Sequence, residues 1–461
     1  MAESIASIPI GIGPAVWDYT GDPSPKSITP SAVTPFPVAF LEEPESPEQR
    51  YYYANKIQDT IRQFNSKFCI RVEHLATILL ISFESLEIKG YLCHESHLPQ
   101  VLETRLKSIS PFCKHYMLHL NPNNLDSGEK REKWIHALPK TVEASRELES
   151  DMSYNDFLLA THSRSSFVTN TGDPRFPKNK GKREQTNCRL RDANQCVLTQ
   201  RPNPSVFWFI PEKWNHNATH NDATGNLEAG CLYLTDIDLL HDLHSASELG
   251  KTHRVWNMIC VDKVIRDLLM EGLCAFKFIS RSQLDDTTFE VLLEFFWMPR
   301  LIGRFNQPMD LNTFINGDYT EKFNHEKANL VDEIRKFSNG DCSPEPDCQQ
   351  QLSAISSSSL SSGHRVLIQM PEQESKLFES VVKIHWACVT FTALCGGAGR
   401  AWHLTGENQR NGSLEPRDEA FEESENERKA KEEAKEKEEK KKKKKKKKRK
   451  RTLIFGRKKE E

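Results

Sequence analysis

Apolar residues recur at helical spacing in three segments between residues 48 and 110, and this pattern predicts a helical region over residues 47–162. The first segment follows the start signal Ser46-Pro47. One face of its helix is expected to carry Tyr52, Ile57, Ile61 and Phe64. The second and third segments read RVEHLATILLISFESL and LPQVLETRLKSI. Stripes of this kind are typical of helices that pack on a core, and we expect no ligand site in them.

The pattern changes in the middle of the chain, where two apolar runs without helical spacing predict strands. The runs SVFWFIP and FEVLLEFFWMPR lie within residues 188–300, and the second is apolar enough to be covered on both faces. Polar segments at 163–187 and 341–364 predict a linker and a low-complexity break, the latter within a C-terminal extension over 301–405. These elements together predict an α+β fold. The termini expected to lack a fold are the Pro/Ser-rich 1–46 and the charged 406–461.

The charge is distributed unevenly along the chain. The formal net charge is −2, yet residues 417–461 contain 21 Lys/Arg and 13 Asp/Glu, so this tail carries +8 and the remainder −10. Twelve consecutive basic residues run from Lys440 to Arg451. Such a run is typical of a nuclear-import signal or a nucleic-acid-binding arm, although a solvated low-complexity tail has the same composition.

The cysteines and the apolar runs argue against a zinc-knuckle protein, a secreted protein and a membrane-spanning protein. Twelve cysteines occur without any C-x-x-C pair, so no zinc knuckle is indicated. The apolar neighbours of Cys196 and Cys260 predict small buried core residues. No signal peptide or membrane-spanning helix is evident, and we expect a nuclear or otherwise cytoplasmic protein with no membrane partner.

Two segments of the central region share a motif arrangement. The first is RDANQCVLT, followed by a Pro-x-Pro step and an apolar strand that closes at Ile210-Pro211. The second is WNMICVDKVIRDLLMEGLCAFKF, followed by FEVLLEFFWMPR. In this order the pieces resemble the HNH endonuclease domain, in the form found in fungal proteins, over residues 186–300. The resemblance covers under a third of the chain.

The resemblance implies a ββα-metal module that cuts DNA with Mg²⁺ or another divalent cation. In the family a histidine near the end of the first strand activates water, an asparagine holds the adjoining loop, and a helix histidine helps to hold the metal. Aligned on Pro211, the first histidine position is Trp208, the asparagine is Asn257 and the second histidine position is Arg266.

Both histidines are therefore replaced. An indole nitrogen donates only, and a guanidinium stays protonated, so neither replacement can do the work of the histidine it replaces. We expect a catalytically degenerate copy without a bound metal. The candidate nucleic-acid contacts are Arg254, Arg266, Lys440, Lys444, Arg449 and Arg451.

Two other functions remain open on the sequence. An active endonuclease could use displaced ligands, for which His216 and His220 are the candidates, although loop histidines in a polar segment are usually solvated. A non-enzymatic nuclear interaction protein could use the fold as a scaffold. The sequence indicates no oligomeric state and no target.

Overall fold

The structure is a computed structural model, and it describes only part of the chain. The described residues are 47–121, 180–215, 221, 224–225, 227–243, 250–301, 308–309, 311, 336–337, 339–343 and 360–399. All of them belong to one compact unit, Met1–Glu407. The predicted termini 1–46 and 406–461 lie outside the described residues, as do His216, His220 and the basic run Lys440–Arg451.

The helical N-terminal region is confirmed where it is described. It contains α1 (Pro47–Arg62), α2 (Val72–Leu80) and α3 (Pro99–Leu120). The predicted stripe of α1 is correct for Ile57 and Ile61, which are fully buried, and wrong for Tyr52 and Phe64, which are exposed. Tyr52 lies about 140° around the helix from Ile57, and Phe64 follows the end of α1.

The central region begins with a helix and a two-stranded ribbon. Helix α4 (Lys180–Arg191) precedes β1 (Ser205–Trp208), which pairs antiparallel with β2 (Met258–Val261). Between the two strands lies α5 (Glu228–Thr235), and directly after β2 comes α6 (Lys263–Met270). Helix α4 occupies residues 180–187, which were predicted as the end of a linker.

A second, three-stranded antiparallel sheet follows. Its order is β3 (Cys274–Gln283), β4 (Thr288–Trp297) and β5 (His364–Pro371), with β4 in the centre. The predicted strand FEVLLEFFW is confirmed as β4, and its second half is buried almost throughout, as expected for a strand covered on both faces. The fold is thus α+β, with helices and small antiparallel sheets.

The last described helix, α7 (Glu372–Leu394), packs against β3, α2 and α3. Among the described residues it is the one helix whose length and composition would suit a membrane span, but 72% of its apolar window is buried inside the protein. Burial of that extent is typical of a core helix.

One hydrophobic core joins the regions that the sequence separates. It contains Ile57 from α1, Phe207 from β1, Phe295 from β4 and Phe391 from α7. The predicted boundaries near 162 and 300 therefore do not divide the buried core. A small second cluster lies between α4 and the β1–β2 ribbon, formed by Cys188, Val255, Met258 and Cys260 with Val206 and Trp208 against it.

Candidate functional site

The two motif segments meet along the β1–β2 ribbon. The backbone N–H of Val197 donates to the carbonyl of Cys260 at 2.9 Å. The hydroxyl of Thr199 donates to the carboxylate of Asp262, the residue that precedes α6. The segment that precedes β1 is consequently tied to β2 and to the start of α6 by residues of both quoted motifs.

Asn257 fixes the chain where β1 ends. It is fully buried, at the end of a short 3-10 turn (Val255–Asn257) that leads into β2. Its Oδ1 accepts from the N–H of Ile210 at 2.7 Å, and its Nδ2 donates to the carbonyls of Ile210 at 2.9 Å and Thr252 at 3.1 Å. One amide side chain thus binds both backbone groups of Ile210, two residues after Trp208, and holds the segment that leaves β1.

Trp208 projects from the ribbon toward α4. Its register partner is Met258, and both pack in the small cluster with Cys188 and Cys260. The indole is partly exposed and lies edge-on to His253, with ring centroids 5.5 Å apart. The Nε2 of His253 is 3.0 Å from the carbonyl of Glu212. Trp208, which the sequence analysis aligned with the first histidine of the HNH motif, therefore makes a packing contact with His253.

Arg266 lies on the flank of α6 and pairs with its sequence neighbour. Its Nη2 is 2.9 Å from Oδ1 of Asp267, and its side chain is 31% exposed. The apolar residues of α6 belong to the main core together with Phe207 and Ile259, which alternate with Trp208 and Met258 along the ribbon. The structure therefore places Trp208 and Arg266 against different partners and shows no shared site for them within the described residues.

Arg254 is also paired with a carboxylate. Its Nη1 lies 3.6 Å from Oε1 of Glu184 in α4, and its side chain is 41% exposed. The other oxygen of Glu184 accepts from the N–H of Val255 at 3.1 Å, which anchors α4 beside the turn that carries Asn257. Of the predicted nucleic-acid contacts, Arg254 and Arg266 are described, and each has a carboxylate within hydrogen-bonding or ion-pair distance.

A cluster that the sequence analysis did not find lies under the ribbon. Cys188, Asp192 and Cys260 bring two thiols and a carboxylate within 4.8 Å of one another. The Sγ atoms are 3.7 Å apart, and Sγ of Cys188 is 3.7 Å from Oδ2 of Asp192. The predicted burial of Cys196 and Cys260 is confirmed, but Cys260 also faces this second thiol.

Arg191 completes the cluster. Its Nε and Nη2 donate to the two oxygens of Asp192 at 2.7 and 3.0 Å, and its Nη2 lies 3.6 Å from Sγ of Cys188. The guanidinium also donates to the carbonyls of Val255 and Met258. Burial is the largest single influence on the pKa of Arg191 and lowers it, but the Asp192 carboxylate, Cys188 and Cys260 together outweigh burial and hold the pKa above its usual value. Burial raises the pKa of Cys188 well above that of a free thiol.

A buried polar network supports β1 from the other face. Oη of Tyr116 in α3 donates to the carbonyl of Phe209 at 2.5 Å and is 2.8 Å from Nδ1 of His385 in α7. Because the single hydroxyl proton goes to Phe209, Nδ1 of His385 must be the donor in the second bond. Burial lowers the pKa of His385 to about 3, so this histidine stays neutral at physiological pH.

Comparison with known proteins adds no assignment. Models of known families, curated protein sequences and solved structures give no match to this chain. The functional argument therefore depends on the residues and contacts described above.

Proposed function

We propose that residues 188–300 form a catalytically degenerate HNH-like module that retains nucleic-acid binding. The observation that carries the proposal is the buried side chain of Asn257, which binds both backbone groups of Ile210. The asparagine of the HNH family has this task, and Asn257 was aligned with it on sequence order alone.

The order and pairing of the elements support the same proposal. Strand β1 pairs antiparallel with β2, and α6 follows β2 after a single intervening residue, Asp262. The contact between Thr199 and Asp262 ties the first motif to the start of this helix. A ββα succession tied in this way is the framework on which HNH chemistry depends.

Catalysis by the usual route has no general base in this framework. The indole of Trp208 packs against His253 and can only donate a hydrogen bond. The guanidinium of Arg266 is a cation already paired with Asp267, so it repels a divalent metal where the family needs a ligand. The expected outcome is a chain that does not cut DNA with Mg²⁺ or Mn²⁺.

Nucleic-acid binding would come from exposed positive charge. Arg254 and Arg266 are partly exposed, and phosphate could compete with their carboxylate partners. The tail that contains Lys440, Lys444, Arg449 and Arg451 adds twelve consecutive positive charges. Binding of this kind neutralises phosphates without reading bases, so it should be non-specific and should weaken steeply with salt.

A nicking assay on the full chain tests the alignment. Supercoiled plasmid is incubated with Mg²⁺ or Mn²⁺ and the wild-type chain, the Trp208→His/Arg266→His variant, or the Trp208→Phe/Arg266→Lys variant. We expect metal-dependent nicking in the histidine variant only, because the matched control changes the same positions without supplying a ligand. If the histidine variant folds but neither cuts nor binds metal, the placement of these two positions in the motif is wrong.

Fluorescence anisotropy with a labelled duplex tests the binding. The full chain should bind at low salt, with a logarithmic slope of about −0.9 for each phosphate neutralised. Replacing residues 440–451 by a Gly/Ser segment should flatten that slope. If the full chain shows no binding at low salt, the proposed nucleic-acid binding is refuted, and only the proposed HNH-like framework is left.

The two other functions make opposite predictions. An active nuclease using His216 or His220 should cut plasmid as wild type and stop cutting as His216→Ala/His220→Ala. A nuclear interaction protein should lose its localisation and partners when residues 436–451 are deleted, while DNA binding by the folded part is unchanged.

A further inference from the structure

We propose that Cys188, Asp192 and Cys260 bind one divalent metal ion of the zinc class. The proposal does not depend on the HNH assignment, because the three ligands come from α4, the residue after it and β2, and include none of the motif positions 208, 257 and 266.

The spacing of the donor atoms fits a tetrahedral ion. With zinc–sulfur bonds of about 2.3 Å and zinc–oxygen bonds of about 2.1 Å, the edges of the tetrahedron are roughly 3.8 Å between sulfurs and roughly 3.6 Å between sulfur and oxygen. The observed Sγ–Sγ distance is 3.7 Å, and the distance from Sγ of Cys188 to Oδ2 of Asp192 is also 3.7 Å. Two of the three ligand–ligand distances therefore already match those around a bound ion, and all three ligand atoms lie within 4.8 Å of one another.

Local structure explains why the ligands share one face. Cys188 lies in the last turn of α4 and Asp192 follows the helix end, so the two are spaced as i and i+4. Strand β2 places Cys260 opposite them, and its backbone N–H donates to Oδ2 of Asp192 at 2.9 Å. Both cysteines are fully buried, and the side chain of Asp192 is 2% exposed.

Arg191 keeps the buried cluster electrically balanced in both states. Without metal, the Asp192 carboxylate and the Arg191 guanidinium form a pair beside two neutral thiols. With a divalent ion, two thiol protons leave and the sum of two thiolates, one carboxylate, one guanidinium and the ion is again zero. The Nη2 of Arg191, 3.6 Å from Sγ of Cys188, is placed to donate to a thiolate.

The donor set determines the class of metal. Two thiolates are soft ligands that select zinc-class ions, whereas Mg²⁺ prefers oxygen ligands only. Three protein ligands leave a fourth position for water or a peptide oxygen. The ion would tie the end of α4 to β2 directly behind Trp208, so its effect is to fix the framework rather than to activate water.

Cobalt titration of the reduced full chain tests this site. We expect uptake of one ion per chain, thiolate-to-cobalt charge-transfer absorption of the intensity given by two sulfur ligands, release of two protons per ion, and displacement of cobalt by zinc. Cys188→Ser and Cys260→Ser should each abolish the charge-transfer band of the two-sulfur site. Cys196→Ser and Cys231→Ser are the matched controls, since both replace fully buried thiols elsewhere and should leave the titration unchanged.

If a variant does not fold, the wild-type chain alone still tests the proposal. Its cobalt spectrum gives the number of sulfur ligands, and its titration gives the number of protons released. The proposal is overturned if the reduced wild-type chain shows no thiolate–cobalt band, or if the band keeps its two-sulfur intensity in folded Cys188→Ser. It is equally overturned if mass spectrometry finds a Cys188–Cys260 disulfide and the chain takes up no metal after reduction.

Discussion

Replacing Asn257 by alanine should destabilise the whole fold and release the end of β1. The side chain makes three buried hydrogen bonds, one from the N–H of Ile210 and two to the carbonyls of Ile210 and Thr252. Each contributes about 0.5–1.5 kcal/mol net, and the buried N–H left without its acceptor adds a penalty of about 1–3 kcal/mol. Summed, these contributions predict that the free energy of unfolding falls by about 2.5–7.5 kcal/mol.

Urea denaturation followed by tryptophan fluorescence measures this loss. The control is Gln369→Ala, which removes an exposed amide that donates to Glu290 at 3.3 Å. Because exposed substitutions usually stay within about 0.5 kcal/mol, the control should be close to wild type.

Hydrogen exchange gives a local readout for the same variant. The amide of Ile210 should exchange faster in Asn257→Ala by more than the global loss of stability explains, since its acceptor is gone. A loss below about 1 kcal/mol, together with unchanged exchange at Ile210, would refute the view that Asn257 holds this loop.

Two further predictions concern packing and pH. Gly230→Ala should destabilise strongly, as judged by the urea midpoint, because the added methyl carbon would lie 2.4 Å from the backbone oxygen of Ser108; Gly181→Ala, whose nearest contact is 3.8 Å, should be neutral or slightly stabilising. His74 and His385 have pKa values lowered by burial from 6.5 to about 3. Their contribution to stability is complete above the unfolded pKa and is lost as the pH falls from about 6.5 toward 3, by about 1.4 kcal/mol per pH unit for each histidine. Urea titrations from about pH 7 to about pH 4 should show a shallower loss in His385→Gln, and an unchanged slope would contradict the assignment of a buried neutral His385.

The local pattern predicted five of the helices and strands described above, namely α1, α2, α3, β1 and β4. The helical spacing of Ile57 and Ile61 identified α1, and the continuous apolar run FEVLLEFFW identified β4. Tyr52 was misassigned because the buried face of α1 is set by its neighbours α2 and α3, which one helical stripe does not specify.

The local spacing of apolar residues could not predict contacts between distant segments of the chain. Cys188 and Asp192 have the spacing of neighbours on one helix face, but the polar composition of residues 163–187 predicts a linker and does not indicate the helix that ends at Arg191. The pairing of β1 with β2 across more than forty intervening residues then brings Cys260 to them. The sequence predicted no bound metal because its local pattern does not bring Cys188, Asp192 and Cys260 together. The proposed zinc-class site replaces that expectation.

The Tyr116 hydroxyl is bonded to two residues that the ribosome adds at well-separated times. It joins Phe209 in the middle of the sequence to His385 near the end of the described residues. At a synthesis rate of about 5–20 residues per second, the ribosome needs roughly ten to thirty-five seconds to add α7 after β1 has been made. During that interval Phe207 and Phe209 lack the aromatic contacts that they make with His385. A ribosome-stalled chain ending before residue 372 lacks α7, the last of the described helices, and should therefore be sensitive to protease.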